Sequence, residues 1–232
     1  MKYSILIIFL ILSMTDILNA QKTYPLHKIK DGQLILNGQG TESIWSQAIV
    51  LSDFSYPWNP GSPPPMTFQG LHDDHWIYGL YTVHDTKPII LYTDKNTKHD
   101  VLKSDRVEIF MRHDTAMNPY YGMEMDPLGR NYDYVARHYR NSDNTWSWPK
   151  GDIQLKTHLE GSTYVVEFAL SKKSLKDFGI LQGNKIEAGL FRGECIKLEN
   201  GEADFKWISW VKPDAPKPDF HIPSSFGVLI LD

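Results

Sequence analysis

Between Arg106 and Arg112 every second residue is aliphatic: Val107, Ile109 and Met111 alternate with Arg106, Glu108, Phe110 and Arg112. A period of two fits an extended strand, whose successive side chains point to opposite faces. Similar signals recur along the chain. Residues 76–83 are rich in aromatic and β-branched side chains, and residues 120–126 and 131–139 flank the turn signal Pro127-Leu128-Gly129-Arg130. Gly161-Ser162 separates candidate strands 153–159 and 163–170, and further strands are expected at 186–196, 205–211 and 226–231. Helical character is confined to residues 171–178, with Ser171 as the expected N-cap and Gly179 as the stop. Many short strands with connections too brief for helical crossovers predict an all-β, antiparallel β-sandwich of immunoglobulin-like or jelly-roll-like type. The Pro-rich stretches 57–65 and 213–223 read as ordered loops.

The first residues point to export. Lys2 precedes the aliphatic run Ile5 to Leu12, and Leu18-Asn19-Ala20 places a small residue before Gln21. That is the layout of a secretory signal over residues 1–20, too short in its apolar part to span a bilayer. Residues 21–232 are then expected to form one domain in the periplasm or outside the cell. Cys195 is the only cysteine, so no internal disulfide is available and the core alone must stabilise the fold. The net charge of −4 is spread along the chain and indicates neither a nucleic-acid nor an anionic-membrane partner.

Charge recurs inside otherwise good strands. Glu108 sits between Val107 and Ile109, Glu124 and Asp126 alternate with Met123 and Met125, and Arg192 and Glu194 follow Leu190. If these strands are neighbours, alternation gathers the charged groups on one sheet face, opposite the apolar residues. Such a face is either a solvated surface of cross-strand ion pairs or a floor for a polar ligand, because buried charge is costly unless paired. Two of the acids also suit a glycosidase pair, which needs a defined separation. Trp146-Ser147-Trp148 either plugs the sandwich end or offers a stacking surface, and Trp207 and Trp210 differ in parity, so one of them is expected to face the core. The histidines show no metal-ligand spacing. Neither a Ser-His-Asp nor a Cys-His system is visible, and no Gly-rich phosphate loop occurs.

The chain resembles family nine of the carbohydrate-binding modules, in a stand-alone exported bacterial branch. The resemblance rests on Leu36-Asn37-Gly38 with Ile44-Trp45, on Ser104-Asp105-Arg106-Val107-Glu108-Ile109-Phe110, and on Tyr120-Tyr121 with Glu124-Met125-Asp126-Pro127-Leu128-Gly129. It continues through Gly189-Leu190-Phe191-Arg192, Trp207-Ile208-Ser209-Trp210 and Pro223-Ser224-Ser225-Phe226-Gly227. It implies a β-sandwich with structural calcium, no catalytic cofactor and no catalysis of its own. Family members grip the end of a xylan or cellulose chain between two tryptophans, and relatives are often fused to xylanases.

Carried over by position, the resemblance implies sugar contacts from Glu108, from Glu124 and Asp126 (where relatives place arginine and asparagine), and from Arg192 and Glu194. The clamp tryptophans align with Leu102 and Phe220, so the aromatic clamp is altered; Trp146 or Trp148 would restore a second wall. Asp85 resembles an acid of the calcium loop. The expected function is non-catalytic binding of an oligo- or polysaccharide in polysaccharide catabolism, with the partner enzyme left open. A glycoside hydrolase, or a sandwich that has lost its sugar site, are the alternatives.

Overall fold

The computed structural model describes residues 21–85 and 87–232; the export signal expected at residues 1–20 lies outside them. Thirteen strands are described: β1 (Thr23–Lys28), β2 (Met66–His72), β3 (Trp76–His84), β4 (Arg106–Arg112), β5 (Tyr120–Met125), β6 (Asn131–Arg137), β7 (Asn141–Asp143), β8 (Ile153–Glu160), β9 (Thr163–Ser171), β10 (Leu181–Gln182), β11 (Lys185–Glu199), β12 (Glu202–Ser209) and β13 (Gly227–Leu231). One short helix, α1 (Lys172–Asp177), follows β9. Ser171 occupies the N-cap position without a side-chain cap bond, and Gly179 turns the chain at φ +69°.

Hydrogen bonding runs in one path, β7-β6-β5-β4-β11-β13-β1-β2-β3-β9-β8, with β10 and β12 also on β11. All pairings are antiparallel except those of β1, which is parallel to both of its neighbours. Its residues Thr23 to Leu26 pair with β13, and His27 and Lys28 pair with β2. That hand-over lets the path double back. Val107, Ile109, Met111, Met123 and Met125 from one half then pack against Phe68, Tyr81, Val83, Val166 and Phe168 from the other. The result is a β-sandwich, as the alternation predicts.

Both outer faces are covered too. Over β2, β3 and β9, the segments carrying Leu36 and Trp45 lie on Leu71, Leu80 and Val165. Buried Glu167 ties them down, accepting hydrogen bonds from Asn37 N (2.9 Å), Gly38 N (2.5 Å) and Trp45 Nε1 (2.9 Å). Gly38 is required there. Its φ is +90°, and a Cβ would lie 2.9 Å from the Thr157 carbonyl oxygen. Over β4, β5, β6 and β11 the cover comes from Val101, Phe220 and Phe226 on Phe110, Tyr120, Tyr134 and Phe191. Every residue of β4 and β5 is therefore buried, including the charged ones.

Candidate functional site

The charged floor follows from strand register. Glu108 of β4 stands directly opposite Glu124 of β5. Their neighbours Val107 and Met125 point into the core between the sheets, so both carboxylates emerge on the covered outer face. Arg106, two residues before Glu108, joins them: its Nε lies 2.6 Å from Glu124 Oε2 and 3.0 Å from Glu108 Oε1. The guanidinium stacks under Phe205 and Trp207 of β12, 4.8 and 5.3 Å from the ring centroids. This reach across β11 depends on Gly193, where a Cβ would come within 3.2 Å of both Arg106 and Trp207.

Two acids share one guanidinium, and the shares are unequal. The single Nε–H is donated to Glu124, leaving Glu108 Oε1 buried without a hydrogen-bond donor. Glu108 is 1 % exposed. Burial, and then the charge of Glu124, push its carboxyl up to about 8, so it holds its proton through neutral pH. Glu124 is also raised, by burial above all.

Aromatic rings wall the floor. Phe220 stacks on Phe191 at 4.0 Å and 12°, Trp207 meets Phe220 edge-on at 5.7 Å, and Trp58 packs beside Phe220 at 5.4 Å. Trp58 is fixed by a 2.8 Å hydrogen bond from its indole nitrogen to the Ala215 carbonyl. At the rim, Asp219 accepts hydrogen bonds from Tyr139 (2.6 Å), Arg140 (2.9 Å) and the His221 backbone (2.9 Å). The His221 ring lies within hydrogen-bond distance of the Tyr120 hydroxyl (2.9 Å), and burial pushes its pKa down to about 4, so it is neutral at pH 7. These groups enclose a pocket of about 140 Å³ with Glu108 and Glu124 in its lining.

Of the residues expected at a site, Glu108, Glu124 and Phe220 come together in this pocket. The others lie elsewhere. Asp126 falls just past β5 and clamps the turn, accepting from Leu128 N, Arg130 N and Arg130 Nε (3.0, 3.1 and 2.6 Å). Arg192 shares the parity of Leu190, so it points inward. There it pairs with Asp105 at 2.8 Å and with Asp85, while Phe191 takes the outer face opposite Glu108. Glu194 accepts from the Tyr56 hydroxyl. Leu102 packs on the outer-face cluster beside the pocket without lining it. Trp146 and Trp148 pack against Tyr121 and Phe178 at the sandwich core, which is the plugging alternative rather than a second wall.

Sequence reasoning did not single out Arg106, Trp58, Arg140, Asp219 or His221 as pocket residues. Arg106 had a signal, since it shares its face with Glu108. Trp207 is the outward member of its pair and Trp210 the inward one. The rim residues belong to irregular segments and carried none.

The residues at Asp85 do not fit calcium. One carboxylate oxygen accepts from Lys87 N (2.8 Å) and the other is held by Arg192, a built-in cation. Among the described residues no three His, Cys, Asp or Glu side chains gather in a metal-holding group. Adding calcium or a chelator is therefore expected to leave the melting temperature unchanged in differential scanning calorimetry. A calcium-dependent rise of several degrees would show an ion site.

Residues 36–232 match the profile of the family described as carbohydrate family 9 binding domain-like. No curated protein sequence matches the chain. Among solved structures, the fold is similar to that of a proposed carbohydrate-binding protein from Bacteroides uniformis ATCC 8492, with TM-score 0.66 and 15% identity, covering 92% of this chain and 100% of that one. It is also similar to a family 9 carbohydrate-binding module from Caldicellulosiruptor kristjanssonii. The complex with cellotriose aligns at TM-score 0.59 and 15% identity over 90% of this chain and 93% of the other. The complex with glucose aligns at 0.54 and 17% over 91% and 96%.

Proposed function

Because the chain belongs to the carbohydrate family 9 binding-domain-like proteins, we propose that it is an exported, non-catalytic carbohydrate-binding protein whose ligand enters the pocket over Glu108 and Glu124. The observation that carries this reading is a buried carboxylate oxygen, Glu108 Oε1, that lacks a donor at the floor of an aromatic-walled pocket. A sugar supplies both missing partners. Its hydroxyls donate to carboxylate oxygens, and its apolar C–H face lies against Trp58, Phe220 or Trp207. A pocket of about 140 Å³ is below the roughly 300–1,000 Å³ of drug-sized ligand sites. It suits one ring at the end of a chain better than a stretch of polymer.

Two features support binding over hydrolysis or a purely structural role. Both carboxylates touch the same Arg106 nitrogen from neighbouring strands, whereas glycosidase acids flank the scissile bond from opposite sides. The pairing at the pocket floor is also incomplete: Glu108 Oε1 lies beside Arg106 but has no hydrogen-bond donor of its own, and it lines the pocket where a ligand hydroxyl can supply one. No helix among the described residues is long and apolar enough to cross a membrane, and the signal-like residues 1–20 favour export to the periplasm or beyond.

The test is titration of the folded protein with glucose and with oligosaccharides of the cellulose and xylan series, monitored by tryptophan fluorescence. Saturable binding in the micromolar to millimolar range is expected, on the order of −4 to −8 kcal/mol, with no release of reducing sugar on long incubation. A blank titration refutes the binding reading, and release of reducing sugar refutes the non-catalytic one.

A further inference from the structure

The charges around the pocket floor balance only because Glu108 holds a proton. Facing Glu108 are Arg106 on its own strand, Glu124 from β5 and the uncharged ring of Phe191 from β11. Tyr134 of β6 adds a hydroxyl that is buried without a hydrogen-bond partner. From the covering loops come neutral His221 and the pair Arg140–Asp219, whose charges are mutually engaged at 2.9 Å. Two carboxylates therefore have one cation. That cation serves Glu124 first: its Nε–H goes to Glu124, its Nη1 reaches the Ser104 carbonyl at 3.4 Å, and its flat face is covered by Phe205 and Trp207. Glu108 Oε1 lies 3.0 Å from the same Nε, whose one hydrogen is directed at Glu124, so it is near the cation but without a hydrogen-bond donor of its own.

Resting on the sugar-binding reading above, we propose that the pocket prefers a sugar bearing a free amino group over its neutral counterpart, the ligand ammonium seating on Glu108 Oε1. An ammonium supplies in one group the donor that the buried oxygen lacks and the positive charge that the acid pair lacks. A neutral hydroxyl supplies only the donor, and leaves Glu108 protonated or uncompensated. An acetylated amino group likewise brings no charge. The ammonium displaces the proton held by Glu108 in the free protein, so binding releases a proton to solvent. The proton leaves the carboxyl, and the charge-assisted N–H···O contact replaces the O–H bond.

The experiment is calorimetric titration just below neutral pH with three β-1,4-linked trimers of equal length: cellotriose, the glucosamine trimer and the N-acetylglucosamine trimer. Running each in two buffers of different ionisation enthalpy reads proton exchange. The glucosamine trimer is expected to bind about ten-fold tighter than cellotriose or more, with net proton release seen for it alone. Glu108→Gln keeps the side-chain shape, so it is expected to remove both the preference and the proton release. Equal or weaker binding of the glucosamine trimer overturns the inference while leaving sugar binding intact. A preference that survives in Glu108→Gln also overturns it, since general attraction to an acidic protein then explains the effect. Binding of none of the three overturns the sugar-binding reading itself, and the inference falls with it.

Discussion

Arg192→Met is expected to lower the unfolding free energy by about 3–5 kcal/mol, the usual cost of removing one partner from a buried ion pair. Arg192 is 0 % exposed and holds Asp105 through two nitrogens, Nη2 at 2.8 Å and Nε at 3.1 Å, while Nη2 also pairs with Asp85. Asp105 is itself fully buried, and takes hydrogen bonds from the Tyr164 hydroxyl (2.5 Å) and from Cys195 N (3.3 Å). Methionine fills much the same volume but leaves that carboxylate without a cation. Burial already holds the Asp105 carboxyl above the usual range even beside Arg192. Without the arginine it rises further, so the deficit shrinks in acid, where Asp105 is protonated. Urea unfolding near neutral pH and near pH 5 checks both parts. The double variant Arg192→Met/Asp105→Asn is expected to recover part of the loss, because the uncompensated charge is gone. A single-variant cost under about 1 kcal/mol would mean that Asp105 and Asp85 find water instead.

The second large effect belongs to the pocket floor. Glu108 is raised from an ordinary value of 4.5 to about 8 by burial and by Glu124. The folded protein therefore binds this proton more tightly than the unfolded chain does. Stability from this group is fully present below about pH 4.5, declines as pH rises, and is lost above about pH 8. Each unit of such a shift corresponds to about 1.4 kcal/mol, so Glu108→Gln, which cannot ionise, is expected to be more stable than the wild type at pH 9 by a few kcal/mol. At pH 5 the two are expected to differ little. Melting temperatures measured across this range give the answer. Parallel curves for the two proteins would show that Glu108 is ionised in the folded state without penalty.

Much of this architecture is written in the sequence, and the failures have identifiable physical causes. The period of two in β4 and β5 is readable because one face carries Val, Ile and Met together with Tyr121, and no charge, in the register that brings Glu108 opposite Glu124. In β11 parity puts Arg192 on the same face as Leu190, but a charged residue is expected to face away from the core. Loops cover the outer face there, so Leu190 and Phe191 are both buried and the apolar contrast between faces is erased. With no apolar contrast to correct it, the charge of Arg192 suggests the outer face, whereas it lies inward with Leu190 and is paired there by Asp105. β1 escapes notice because Pro25 interrupts it and it pairs in parallel with two different strands, a context that no local pattern encodes. The pocket walls are legible only in part. Phe220 and Trp58 come from Pro-rich loops that are expected to be ordered, but what joins them is a hydrogen bond between Trp58 and Ala215, 157 positions apart.

The most direct measurement is the affinity of one saturating oligosaccharide for the wild type, for Trp207→Ala and Trp58→Ala, and for Tyr92→Ala. Tyr92 is a 69 % exposed aromatic that does not line the pocket. Each ring against a sugar is worth roughly 1–2 kcal/mol, so the two pocket variants are expected to bind about ten-fold more weakly while Tyr92→Ala binds as the wild type does, all of them folded at the temperature used. Unchanged affinity in both pocket variants would place the sugar elsewhere on the sandwich and contradict a binding site over Glu108 and Glu124.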